Sequence, residues 1–142
     1  AVEGCTLKVG DTYVYHCHQS IRVEICGDTK GFDWEGGELN RGHTHKGNHR
    51  IHWHPDLPEE NPFATMTLRN LFADFELELT ESSVQDPESK EVIRDDADAC
   101  NDGKDNKVAV YETLEDTTEE TLLTDFLNHE LQDEATYRIV YE

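Results

Sequence analysis

The chain has 142 residues, of which 35% are hydrophobic and 31% are charged. This length fits one domain that spans residues 1–142 and buries a hydrophobic core. Apolar runs are present, and this composition excludes a wholly disordered chain. No stretch approaches ~18 consecutive apolar residues, so we expect no membrane-spanning helix.

The net charge is −20, from 12 Lys and Arg against 32 Asp and Glu. This balance argues against a nucleic-acid-binding protein, because phosphate binding requires a basic face. The charge is uneven: residues 1–60 hold ten acidic and six basic side chains, whereas residues 61–142 hold twenty-two and six. An acidic surface of this kind keeps a protein in solution, binds cations or attracts a basic protein partner.

Three of the four cysteines lie in the first 26 residues. The four are Cys5, Cys17, Cys26 and Cys100. They include no CxxC pair, which argues against a zinc ribbon or a thioredoxin motif. An even number in a small polar chain favours two disulfides and a secreted protein, with three connectivities open. The alternative is four reduced cysteines in a cytosolic protein.

Three strands are predicted near the start of the chain, over 6–9, 12–15 and 21–25. Strict alternation in the third strand turns Ile21, Val23 and Ile25 toward a core. The second strand is expected to continue to His16 and His18, which then share one face because successive side chains in a strand alternate.

Five of the eight histidines fall within twelve positions, at His43, His45, His49, His52 and His54. Gly47-Asn48 inside this segment predicts a hairpin with a two-residue turn. In that register His43 pairs with His52, and His45 pairs with Arg50. Period-two alternation then places every histidine except His49 on one face, and places Ile51 and Trp53 on the core face.

Imidazole ligates metals and titrates near neutral pH, and three converging imidazoles form a zinc or copper site. We therefore expect a transition-metal site on this hairpin, with further ligands from the earlier strand. The predicted ligands are His43, His45, His52, His54, His16 and His18. Two alternatives remain open: a solvated patch of histidines that responds to pH, and acid–base catalysis by the same residues.

Further strands are predicted over 65–68, 74–79, 91–94 and 107–111, the last two as the walls of an acidic loop. The loop resembles the calcium-binding loops of other proteins. Its candidate ligands are Asp96, Asp98, Asp102 and Asp105. Cys100 and Ala109 stand where an EF-hand has ligands, so the pattern predicts at most a weak calcium site. The alternative is a solvated hairpin loop.

One helix is predicted near 117–131, because Thr117 and Glu120 match a capping box. Five apolar residues then recur at helical spacing, namely Leu122, Leu123, Phe126, Leu127 and Leu131. A final strand is predicted over 136–141. The predicted fold is β-rich (all-β or α+β), a single antiparallel sandwich or barrel-like domain with this one helix.

The favoured function is a secreted, disulfide-stabilised acidic protein whose histidine-rich hairpin binds zinc or copper. Such a protein could act as a metal carrier, or as an effector or toxin-like secreted factor. One alternative is a small secreted hydrolase, a nuclease, that uses the same histidines, although the sequence assigns no catalytic residue. Another is an acidic inhibitor or polyanion mimic that binds a basic protein.

Overall fold

A computed structural model describes the chain over 6–9, 12–15, 17–31, 36–37, 42–45, 48–53, 66–94, 100 and 107–141. Side chains are described over 17–31, 50–51, 66–94, 100 and 107–141. Within these ranges the chain forms twelve strands and one short helix, which confirms the prediction of a β-rich fold. None of the described residues forms a helix of the length and apolarity needed to cross a membrane.

The strands are β1 (Thr6–Val9), β2 (Thr12–Tyr15), β3 (Cys17–Ile25), β4 (Asp28–Lys30), β5 (Gly36–Gly37), β6 (Gly42–His45), β7 (Asn48–Trp53), β8 (Ser83–Gln85), β9 (Val92–Arg94), β10 (Val108–Thr113), β11 (Thr121–Leu122) and β12 (Thr136–Tyr141). The helix is α1 (Leu68–Asp74). Eight strands form one sheet in the order β11-β10-β12-β3-β7-β6-β5, with β4 also paired to β3. In the rest of the described chain, β1 pairs with β2 and β8 pairs with β9.

The eight-stranded sheet is mixed. β12 runs parallel to β3, with Thr136 opposite Ser20 and Tyr141 opposite Ile25, whereas the other described neighbours are antiparallel. The prediction of an antiparallel sheet is therefore wrong at this one pair. Parallel strands require a long connection, and here more than a hundred residues separate the two strands along the chain.

One face of this sheet lies on the hydrophobic core. Along β3 the alternate residues are buried, which confirms that Ile21, Val23 and Ile25 point inward. Ile51 of β7 is likewise fully buried, as predicted. The opposite face is polar: Arg138 of β12 lies between Glu24 at 2.9 Å and Glu120 at 2.8 Å. The ion pairs of Arg138 are half-exposed, so they contribute little to stability.

Helix α1 begins where a strand was predicted. Thr67 is its N-cap, and its hydroxyl accepts a hydrogen bond from the N–H of Asn70 at 3.3 Å, which satisfies one of the free donors of the first turn. The buried residues Leu68, Leu71 and Phe72 recur at helical spacing. The strand predicted at 65–68 is therefore wrong in its described part. Of the strand predicted at 74–79, only Leu79 pairs, in an isolated antiparallel bridge to Val84.

Segment 117–131 does not form the predicted helix. Residues of β11 pair with β10 instead, and the N–H of Leu123 donates to the carbonyl of Val110 at 2.9 Å. Thr117 lies in a turn and donates its N–H to the carbonyl of Leu114 at 3.2 Å, so it caps no helix. Pairing with a neighbouring strand outweighs the weak local preference for a helix.

Two disulfide contacts fall in the described chain. Cys26, just after β3, is bonded to Cys100, with a Cα–Cα distance of 5.2 Å. Cys17 is also disulfide-bonded, to a partner outside the described residues. The two cysteines of the Cys26–Cys100 bond are separated by 74 positions in the sequence. Closing so long a loop lowers the entropy of the unfolded chain, an effect worth about 4 kcal/mol in the chain-entropy account.

Substitution of two leucines in segment 117–131 distinguishes the observed conformation from the helix predicted there. Leu131 is fully buried, whereas Leu122 is 56% exposed. We expect Leu131→Ala to lower the free energy of unfolding by about 2–5 kcal/mol, and Leu122→Ala to change it by less than about 0.5 kcal/mol. Chemical denaturation measures both values. If the segment were a helix with both leucines buried, both substitutions would lower the unfolding free energy by several kcal/mol. Two such large decreases would contradict the structure.

Candidate metal centre

Three histidines occupy directly opposed positions on three neighbouring strands. His18 of β3 pairs with His52 of β7, and His52 pairs with His43 of β6. Directly opposed residues lie on the same face of a sheet, with Cβ atoms about 4.5–5.5 Å apart. We call these three positions the histidine row. Within the row, His18 lies on the face of β3 opposite the buried Cys17.

The hairpin of β6 and β7 follows the predicted register only in part. The pairing of His43 with His52 is confirmed. His45 pairs with Asn48 and not with Arg50, because the register shifts between His43 and His45. Asn48 therefore belongs to β7, and the prediction that it forms the turn is wrong. A bulge of this kind is a common way for a strand to change its alignment.

The turn that precedes β12 docks on the backbone of His18. The N–H of His18 donates to Asp133 Oδ1 at 2.9 Å, and the N–H of Glu134 donates to the carbonyl of His18 at 2.7 Å. The N–H of Ser20 donates to the carbonyl of Ala135 at 3.0 Å. These bonds fix two carboxylates against the end of the histidine row.

The side chains of His18, Asp133 and Glu134 form a compact group of potential ligands. One ligand atom from each lies within 4.8 Å of the other two, and His18 Nδ1 lies 3.4 Å from Glu134 Oε1. Two ligand atoms bound to one tetrahedral zinc ion at about 2.0–2.1 Å lie about 3.3 Å apart. The His18–Glu134 separation therefore suits a shared zinc ion as well as a direct ion pair.

Arg50 holds the second oxygen of Glu134. Its position on β7 is opposite Ser20, and its guanidinium forms an ion pair with Glu134 Oε2. This contact leaves Oε1 toward His18. Glu134 has a positive φ of 61°, a conformation that costs a non-glycine residue roughly 1–2 kcal/mol. The ion pair with Arg50 and the left-handed backbone conformation of Glu134 together set the position of the Glu134 carboxylate.

Asp133 and Glu134 were missed in the sequence. They are two of 32 acidic residues, and they follow the histidine hairpin by about eighty positions. Only the parallel pairing of β12 with β3 brings them to His18. The sequence shows Asp133 and Glu134 just before the strand predicted over 136–141. No pattern in the sequence indicates that this strand pairs with β3.

The predicted ligands have different outcomes. His18, His43 and His52 share the row, and His45 lies further along β6. His16 and His54 lie outside the described residues, so their part in a metal site stays a prediction. The same holds for the calcium loop, whose candidate ligands Asp96, Asp98, Asp102 and Asp105 all lie outside the described ranges. Strands β9 and β10 flank that loop but pair with other strands.

A second polar cluster lies behind the turn. Glu112 of β10 is buried, and its Oε2 accepts a hydrogen bond from the hydroxyl of Tyr137 at 2.7 Å. The same oxygen lies 2.8 Å from His129 Nε2. The Tyr137 hydroxyl accepts in turn from the N–H of Gln132 at 2.7 Å. Burial raises the pKa of Tyr137 above its ordinary value, because the phenolate would lose its hydration.

Comparisons with models of known protein families, with curated proteins and with solved structures found no match to this chain. The function is therefore argued from the site alone.

The raised pKa of Tyr137 predicts a loss of stability in alkali. The unfolded chain releases the Tyr137 proton above about pH 10, whereas the folded chain keeps it, so stability falls as the pH rises. Above pH 10 we expect the unfolding free energy of the wild type to fall more steeply than that of Tyr137→Phe, by an amount that approaches about 1.4 kcal/mol per pH unit near pH 11.5.

Urea titrations at a series of pH values measure this difference in slope. Below pH 9 the two curves should run parallel, which serves as the internal control. Parallel curves at every pH would show that the Tyr137 proton does not differ between the folded and unfolded chains.

Proposed function

We propose that the protein binds one transition-metal ion, zinc or copper, where the histidine row meets Asp133 and Glu134. The observation that supports this proposal is the spacing of the His18, Asp133 and Glu134 ligand atoms, all within 4.8 Å of one another. The register adds His52 directly opposite His18. Two imidazoles and a carboxylate from a rigid sheet and a fixed turn make a metal site of a common type.

Zinc suits this donor set best. Zinc takes imidazole nitrogen and carboxylate oxygen in a tetrahedron, and the 3.4 Å between His18 Nδ1 and Glu134 Oε1 is close to the ligand spacing of that geometry. Copper(II) prefers a more nearly planar set of nitrogen and oxygen ligands, and it is the second choice. Calcium and magnesium prefer oxygen ligands alone, so the imidazole of His18 disfavours both.

When no metal is bound, the positive charge of Arg50 offsets the negative charge of Glu134. Glu134 Oε1 faces His18 at 3.4 Å, and Oε2 faces Arg50. Both side chains are partly exposed, at 20% for His18 and 36% for Glu134, so an ion can reach them from solvent. A bound cation adds charge beside a carboxylate whose orientation is already fixed, which reduces the entropy lost on binding.

We further propose that the protein acts outside the cytosol as a metal carrier or a secreted effector. The Cys26–Cys100 disulfide and the bonded Cys17 favour an oxidising compartment. A net charge of −20 attracts cations and basic partners over distances of about 8–10 Å at ordinary ionic strength.

Zinc titration of protein purified without a histidine tag tests the site. We expect one zinc ion per chain, and we expect His18→Ala, His52→Ala and Glu134→Gln each to weaken binding more than about tenfold, a loss seen even for groups that only support a ligand. Glu120→Gln is the matched control. Glu120 is also an exposed carboxylate paired with an arginine, Arg138, but it lies outside the group, so its loss should leave the Kd unchanged.

The possible outcomes separate the competing proposals. Tight binding that survives His18→Ala and Glu134→Gln but is lost in His43→Ala would confine the ion to the hairpin. Absence of binding by the wild type at micromolar zinc and copper would overturn the proposed function. RNA and DNA incubated with the protein, with and without a chelator, test for the hydrolase alternative.

A further inference from the structure

The two carboxylates of the proposed metal site belong to a turn whose first residue is held from both sides. Gln132 begins this turn, and the N–H of Ala135 donates to its carbonyl at 3.3 Å. The N–H of Gln132 donates to the hydroxyl of Tyr137 at 2.7 Å. The carbonyl of Gln132 also accepts from Gln19 Nε2 at 3.3 Å. Asp133 and Glu134 follow directly, so their backbone starts from a fixed point.

Tyr137 and Gln19 are both fully buried. A buried polar side chain destabilises a fold unless it finds a hydrogen-bond partner. Gln19 lies among Cys17, Ile21 and Val23 on the apolar face of β3, where an apolar side chain such as leucine would pack in the core. Its amide reaches the backbone of the turn instead. The polar side chain at this position therefore supports the turn more than it supports the core.

The orientation of the Tyr137 hydroxyl is set by Glu112. A phenol has one proton to donate, and here Glu112 Oε2 accepts it at 2.7 Å. The lone pairs of the hydroxyl then face the N–H of Gln132. His129 Nε2 lies 2.8 Å from the same Glu112 oxygen and fixes the carboxylate. A chain of hydrogen bonds thus runs from His129 to the turn.

We propose that Tyr137 and Gln19 are positioning residues of the metal site. Both hydrogen-bond to Gln132, and through it they hold Asp133 and Glu134 against His18. This inference rests on the proposed function, because it concerns the same ion. Groups that orient ligands typically change metal affinity about 10- to 100-fold when they are removed.

Tyr137→Phe tests the proposal, with Tyr141→Phe as the matched control. Both tyrosines lie on β12 and are fully buried, and each hydroxyl hydrogen-bonds to a backbone group, that of Gln132 for Tyr137 and the Arg94 carbonyl for Tyr141. We expect Tyr137→Phe to raise the zinc Kd about 10- to 100-fold and Tyr141→Phe to leave it unchanged. The visible spectrum of the cobalt-loaded protein should change only for Tyr137→Phe, because it reports ligand geometry.

Two more variants separate positioning from general stability. Gln19→Met keeps the volume but removes the donor, so it should weaken zinc binding, and it stands in for Tyr137→Phe if that variant does not fold. Glu112→Leu removes the acceptor of the Tyr137 hydroxyl proton, so it should weaken zinc binding as well. If the wild type binds zinc, and Tyr137→Phe, Tyr141→Phe and Gln19→Met all bind it with the wild-type Kd, the positioning role is overturned. The proposed metal site itself would stand. Lack of binding by the wild type would overturn the proposed function and this inference with it.

Discussion

The parallel pairing of β12 with β3 is the interaction on which the rest of the structure depends. It aligns Thr136 with Ser20 and Tyr141 with Ile25, and so joins the last described strand to the third strand at the centre of the sheet. The strands on one side of this pair belong to the second half of the chain, and those on the other side belong to the first half. The acidic half of the sequence thereby supplies carboxylates to the histidine-rich half.

The same pairing explains why the site contains a turn. β12 begins at Thr136, directly opposite Ser20, so the residues before it must bend away beside His18. Their backbone groups need partners there. His18 supplies both an N–H and a carbonyl, to Asp133 and Glu134 respectively. The carboxylates lie near the imidazole as a consequence of how the sheet satisfies its backbone.

Sequence reasoning succeeded where a pattern is local. Strict alternation over 21–25 predicted the inward face of β3, and the apolar run at 136–141 predicted β12. The Gly47-Asn48 pattern predicted the pairing of His43 with His52, although Asn48 itself lies in β7. It failed where a distant strand decides, as for segment 117–131, whose hydrogen bonds go to β10. The carboxylates of the site were out of reach for the same reason, because no local pattern specifies that β12 pairs with β3.

A bound ion at this place would tie together elements that the sheet joins only through backbone hydrogen bonds. His52 belongs to β7, His18 to β3, and Glu134 to the turn before β12. A ligand that binds only the folded chain stabilises it by about 2.7 kcal/mol at a hundred times its Kd. That free energy would stabilise the contact between the two halves of the chain. The hairpin alone offers no such coupling, because β6 and β7 are neighbours in sequence as well as in space.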